Sequence, residues 1–120
     1  MRNLHFVIIL LALASCKRTE EIHQEYLYGK WDIIRAERNG LETSYLNGGY
    51  FVIEDEGMMT VNITGEEERG SFTLDKDRLQ LNDKEFDIQS LKADSLVIRY
   101  TPASHGKFVF YMVRHKEEDQ

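Results

Sequence analysis

From residue 29 onward, apolar and polar residues alternate in short runs. Turn-forming residues interrupt the runs about every 8–12 positions, as in an all-β chain. The runs predict eight strands, at 31–37, 50–54, 58–64, 70–74, 78–81, 85–90, 95–101 and 107–115. Turns fall at Asp55-Glu56-Gly57, at Gly65 with the acidic run Glu66-Glu67-Glu68, at Asp75-Lys76-Asp77 and at Asn82-Asp83. A longer loop after the first run carries Asn39-Gly40 and Asn47-Gly48-Gly49, and another, 102–106, leads into the last. Upstream the spacing is helical. Thr19 is placed to cap a short helix over 20–28, with Ile22, Tyr26 and Leu27 on one face and Gly29 ending it.

Strands joined mainly by loops of two to five residues form an antiparallel meander. As an open sheet it would leave two unpaired edges, and closure removes both. The expected fold is therefore all-β: an eight-stranded antiparallel up-and-down barrel with a short N-terminal helix. Pro102 falls in a connection, where it breaks no ladder. Phe72/Leu74, Leu79/Leu81 and Phe86/Ile88 alternate with polar neighbours, as half-buried strands do. The last run is apolar on both faces, with Phe108, Phe110 and Met112 on one and Val109, Tyr111 and Val113 on the other. The helix at 20–28 is the expected cover for its outer side.

A barrel of about eight strands is either filled by its own side chains or holds one small ligand. Tyr50, Val52, Met58, Phe72, Phe86, Phe108, Phe110 and Met112 are the candidate lining of such a cavity. The same residues equally suit a dry, close-packed core. Arg35 and Arg99 lie beside apolar residues, facing either inward to an anionic headgroup or outward to solvent.

Charge and composition then exclude several functions. The 120 residues carry 15 basic and 21 acidic side chains, a net charge of -6, which offers no basic surface to neutralise phosphates, so nucleic acid is not an expected partner. A single Cys permits no internal disulfide and no zinc knuckle. His5, His23, His105 and His115 lack metal-site spacing, and the acidic runs fall on turns, where carboxylates are solvated. No Gly-rich phosphate loop and no Gly-x-Ser-x-Gly motif occurs. Neither an enzyme nor a cofactor is expected.

The N-terminus supplies an address. Arg2 precedes an apolar run over residues 4–14, about 10 residues long against the ~20 of a spanning helix. Leu13-Ala14-Ser15-Cys16 ends it and resembles the lipobox of bacterial lipoproteins. The resemblance implies cleavage before Cys16, lipid on its sulfur and a membrane held through the acyl chains. Residues 1–15 are then a signal peptide, 16–25 a lipidated tether, 26–115 the barrel domain and 116–120 a polar tail. Lys17 follows Cys16 where the inner-membrane retention signal has Asp, and Glu20-Glu21 resembles a surface-export signal. These features imply an outer-membrane lipoprotein of the cell envelope, facing the periplasm or the surface.

Gly29-Lys30-Trp31, opening the first strand after a short helix, resembles the lipocalin Gly-x-Trp signature, and Arg114 matches the Arg that stacks across that Trp at the closed end. Over residues 22–115 the chain is similar to the lipocalin-like domain of small Bacteroidetes-type lipoproteins. The second lipocalin signature, Thr-Asp-Tyr, is only echoed in Ala93-Asp94-Ser95. The resemblance implies a non-catalytic module holding a small apolar or amphiphilic molecule at the mouth opposite Trp31. The alternative is a side-chain-filled barrel that binds a protein partner at the envelope. The loop 39–49, with Tyr45 and Leu46, is a lid in the first case and a docking loop in the second.

Overall fold

A computed structural model describes residues 22–44, 46, 48–103 and 106–116. The signal segment 1–15, Cys16 and the tether up to residue 21, Tyr45, His105 and the tail from residue 117 lie outside the described residues.

Among the described residues, a single 3₁₀ turn, Gln24–Tyr26, precedes nine strands. They are β1 (Gly29–Arg38), β2 (Leu41–Thr43), β3 (Tyr50–Ile53), β4 (Met58–Asn62), β5 (Glu68–Asp75), β6 (Arg78–Leu81), β7 (Lys84–Leu91), β8 (Ser95–Tyr100) and β9 (Phe108–Arg114). Every neighbouring pair is antiparallel. β9 returns to pair with β1, from Trp31↔Arg114 to Arg38↔Phe108, so eight strands close a barrel. The ninth, β2, folds back on the end of β1 through the turn Asn39-Gly40, where both residues have positive φ. Asn-Gly is the pair such a two-residue hairpin demands, so a strand stands where only a loop was expected.

The expected helix over 20–28 is not formed within the described part: one 3₁₀ turn replaces it. That turn caps an end of the barrel and does not cover the outer face of β9. There Val109, Tyr111 and Val113 stay half-buried, and the Arg35 guanidinium lies 5.0 Å from the centre of the Tyr111 ring. A guanidinium over an aromatic face covers it while keeping its own charge in water.

The core is one cluster, running from Leu27 and Trp31 through Phe51, Phe86 and Phe110 to Met112. Among the described residues, all of it belongs to the barrel circuit and its caps. Phe51 meets Phe86 edge-on with ring centres 5.2 Å apart and Phe110 at 6.0 Å, and together they fill the middle of the barrel.

Two β-bulges set which residues fill it. Pairing of β1 with β9 shifts between Ile33 and Arg35, which leaves Ile34 61% exposed. Trp31 and Ile33 face inward, but after the extra residue Ala36 takes the inner position and Arg35 turns to solvent. Pairing of β7 with β8 shifts between Ile88 and Ser90, and Leu91 rather than Ser90 then packs on the core. A bulge reverses the parity of the strand beyond it.

On β3 and β4 the expected faces are corrected. Tyr50, Val52 and Met58 lie on the outer wall, while Phe51, Ile53, Met59 and Val61 are buried inside. On β4 Met59 and Val61 alternate with the polar Thr60 and Asn62, but both faces of β3 are apolar, so local alternation cannot choose between them. The register Trp31↔Phe51 does, because directly paired residues share a face. Outside, Lys30 Nζ sits 4.5 Å from the Tyr50 ring centre, and the Tyr50 hydroxyl donates to Glu67. Phe51→Ala should cost about 3–5 kcal/mol of stability, whereas Val52→Thr should cost no more than about 1 kcal/mol. Urea unfolding of the two variants checks the assignment of faces.

Candidate functional site: a latched end and an open mouth

The two ends of the barrel differ in kind. At one, Trp31 is fully buried and its indole N–H donates to Leu27 O at 2.9 Å. Arg114 lies across it, Cζ 4.2 Å from the ring centre. Its guanidinium donates from Nε to Ala93 O at 2.9 Å, from Nη1 to Tyr28 O at 2.7 Å and from Nη2 to Tyr26 O at 2.9 Å. One planar fork thus joins the incoming turn, the start of β1, the β7–β8 connection and the end of β9. Gly29 makes room for it. Its φ is +125°, and a Cβ there would meet Arg114 Nη1 at 2.8 Å. Gly29, Trp31 and Arg114 meet here and close this end of the barrel interior, and a surface cleft of about 400 Å³ lined by Ile22, Tyr26, Leu91 and Arg114 lies beside the latch.

The opposite end stays open. Leu46 and Ile63, from the β2–β3 and β4–β5 connections, fold inward and are nearly buried. The first connection is pinned where Ile33 N donates to Gly49 O at 3.0 Å, and a Cβ on Gly49 would meet Asn62 O at 2.7 Å. Between these loops and the end of the sheet lies a cleft of about 440 Å³, lined by Leu46, Ile63, Thr64, Lys84, Tyr100, Pro102, Phe108 and Phe110. Tyr100 links its aromatic wall to the core, with ring centres 5.0 Å from Phe86 and 6.3 Å from Phe108.

Of the candidate lining, Phe108 and Phe110 reach this cleft, while Phe72, Phe86 and Met112 lie in the packed interior. The lid loop is represented here by Leu46. Two residues were missed. β5 begins at Glu68 rather than Gly70, so Glu68 shares its face with Phe72 and Leu74 instead of sitting on a solvated turn. Lys84 likewise shares the face of Phe86 and Ile88. The period-two spacing carries that signal in both cases, although the acidic run before Glu68 reads as a turn.

Lys84 Nζ donates to Glu68 Oε1 at 2.6 Å, and Asn82 Nδ2 donates to Glu68 Oε2 at 2.8 Å. The bonds from Asn82 and then Lys84 hold the Glu68 carboxyl below the usual carboxylate range. The bond to Glu68 pushes the Lys84 ammonium above the usual lysine value, against its partial burial. Burial raises the Tyr100 phenol above its ordinary value, so the ring presents a neutral hydroxyl.

Among the described residues no group of three or more His, Cys, Asp or Glu is placed to hold a metal ion. His115 Nδ1 lies 2.7 Å from Asp32 Oδ2 on the exposed rim of the latched end, a lone pair of groups. No protein-family model matches the chain, and no curated protein matches it in sequence.

Trp31→Ala should destabilise by about 3–5 kcal/mol. Arg114→Ala should cost less, and Arg114→Lys should restore little, because an ammonium cannot span three separate carbonyls. Thermal melts of the three variants test this. The pH dependence has a defined sign. The contribution of Glu68, whose carboxyl is held low in the fold, is complete above the ordinary carboxylate range and is lost as pH falls towards its lowered value. That of Lys84 is complete below the ordinary lysine range and is lost as pH rises through its raised value. Glu68→Gln should therefore flatten the acid limb of the melting temperature against pH and leave the neutral region shallower.

Proposed function

We propose that this chain is a lipid-anchored, non-catalytic binding module of the bacterial envelope, similar to the lipocalin-like domain of small outer-membrane lipoproteins. Its mouth takes the apolar end of a small apolar or amphiphilic molecule. The observation that carries this reading is the open cleft of about 440 Å³, within the size range of small-molecule sites, with Tyr100, Phe108 and Phe110 on its wall. One end of the barrel is shut by Arg114 and Trp31, so a ligand has one way in. Phe51, Phe86 and Phe110 fill the barrel below. A short apolar segment therefore fits, and a long chain threaded through the barrel does not. The similarity to lipocalins rests on Gly29, Trp31 and Arg114 acting together, and the anchor rests on the lipobox ending at Cys16.

The same packed middle favours a second reading. A barrel whose interior is mostly filled works as an envelope protein–protein interaction module, with Leu41 on the β2 edge, 74% exposed, as a point of contact.

Native mass spectrometry of residues 17–120, purified without detergent, separates the two. A discrete extra mass released by denaturation is expected for the ligand-binding reading, and Phe108→Asp should abolish it. A bare chain, unchanged after incubation with short-chain lipids, supports the partner-binding reading. The anchor has its own test in whole cells. Cys16→Ser should move the protein from the detergent phase to the aqueous phase on phase partitioning, and retention in the detergent phase would show that the sulfur carries no anchor.

A further inference from the structure

Lys84 and Glu68 meet at the open rim from two strands that are not neighbours in the sheet, on the strand faces that carry the core residues Phe86 and Phe72, with side chains 25% and 30% exposed. Lys84 forms part of the cleft wall beside Tyr100 and Phe108. Its ammonium has three N–H donors, of which Glu68 takes one at 2.6 Å. The second oxygen of Glu68 is held by Asn82 at 2.8 Å. The pair is thus internally neutral and its carboxylate is already satisfied, while the ammonium retains donor capacity.

We infer that this ion pair makes the mouth selective for amphiphiles with an uncharged polar head, such as a glycerol ester or an alcohol, and that Glu68 is the residue that turns carboxylate heads away. The inference rests on the mouth-binding reading above and names the ligand class of that site.

The selectivity follows from the geometry of one shared cation. A ligand carboxylate within hydrogen-bond distance of Lys84 would stand about 4–5 Å from that of Glu68. Two anions would then share a single ammonium in a partly desolvated mouth, where repulsion is far stronger than in bulk water. Asp83, next in the chain to Lys84, adds a further negative charge near the ammonium. A hydroxyl or ester carbonyl accepts from the remaining N–H donors without that repulsion. The neutral Tyr100 phenol can donate to the head or accept from it. A cationic head meets Lys84 itself at the same distance. The aromatic wall takes the short tail, and the packed rings of Phe51 and Phe86 beneath limit its length.

The test uses residues 17–120, which include every core residue described, with monodecanoylglycerol and decanoate as probes in isothermal titration at neutral pH. The two probes share a tail and differ in the charge of the head. Wild type should bind the glycerol ester at least about tenfold more tightly than decanoate, and Glu68→Gln should remove most of that preference by strengthening decanoate binding. Glu68→Ser serves the same purpose should the first variant not fold. Equal or tighter binding of decanoate by wild type overturns the selectivity and leaves the mouth as a lipid site. A wild-type preference that both folded variants retain overturns the role of Glu68. Binding of neither probe removes the mouth-binding reading itself, and this inference with it.

Discussion

The closure of β9 onto β1 is the constraint on which the rest of this structure depends, and Arg114 is where it is made fast. Eight short strands with few residues each cannot bury their faces as an open sheet, because both edges would stay unpaired. Pairing Trp31 with Arg114 joins the two ends of the meander. The guanidinium then ties three further segments to the same point through carbonyls of Tyr26, Tyr28 and Ala93. Gly29 is required because the fork passes where a side chain would stand. The incoming chain is thus fixed as a cap at one end only, and that asymmetry leaves the other end as the place where anything could enter.

Consequences for function run along the barrel axis. From the latch upward the interior is dense: Trp31, then Phe51 in ring contact with both Phe86 and Phe110, then Tyr100 and Phe108 at the rim. The aromatic series ends in a cleft rather than a solid cap, because Leu46 and Ile63 reach in from loops and leave space beside Pro102 and Thr64. A charged pair at such a rim is unusual company for phenyl rings. It persists because each charge satisfies the other and Asn82 completes the carboxylate. In the proposed function this pair grades ligands by head, and the rings grade them by tail.

Elsewhere the wall is a solvated ladder of charges. Arg35 pairs with Glu37 two residues further along β1, Arg69 with Glu54, and Asp87 with both Arg78 and Arg99, all on the outer face. Exposed pairs of this kind contribute little to stability, typically about 0–1 kcal/mol. Their value lies in keeping the outer surface wet and in discouraging the barrel wall from meeting other sheets. Among the described residues, Ile34 on its bulge and Leu41 on the β2 edge are the most exposed apolar side chains of the wall, and Tyr50, Val52, Met58, Val109, Tyr111 and Val113 are half-buried on the same outer face.

Much was legible from residue order alone. The eight strands of the barrel, the antiparallel meander and the need for closure follow from period-two patterning and turn residues, whereas the meeting of Gly29, Trp31 and Arg114 was only implied by the lipocalin resemblance and β2 was not expected. Patterning and turn residues are local properties, and the unpaired-edge penalty turns them into a barrel without further information. Which face of β3 looks inward was not local. Tyr50-Phe51-Val52-Ile53 is apolar on both sides, so only pairing with Trp31 on β1 decides that Phe51 is core and that Tyr50 and Val52 are wall, whereas on β4 Met59 and Val61 alternate with the polar Thr60 and Asn62 and already mark the inner face. Bulges at Ile34 and Gln89 are equally invisible, since they answer to the fit of β1 against β9 and of β7 against β8. In the described chain the expected helix is one 3₁₀ turn, and the carbonyls of Tyr26, Leu27 and Tyr28 accept from Arg114 and Trp31, residues of the barrel itself. The meeting of Glu68 with Lys84, 16 positions apart, required the closed circuit as well. The pattern of single strands determined the fold; the choice of faces and the chemistry of the mouth were decided by register between strands, which no single strand contains.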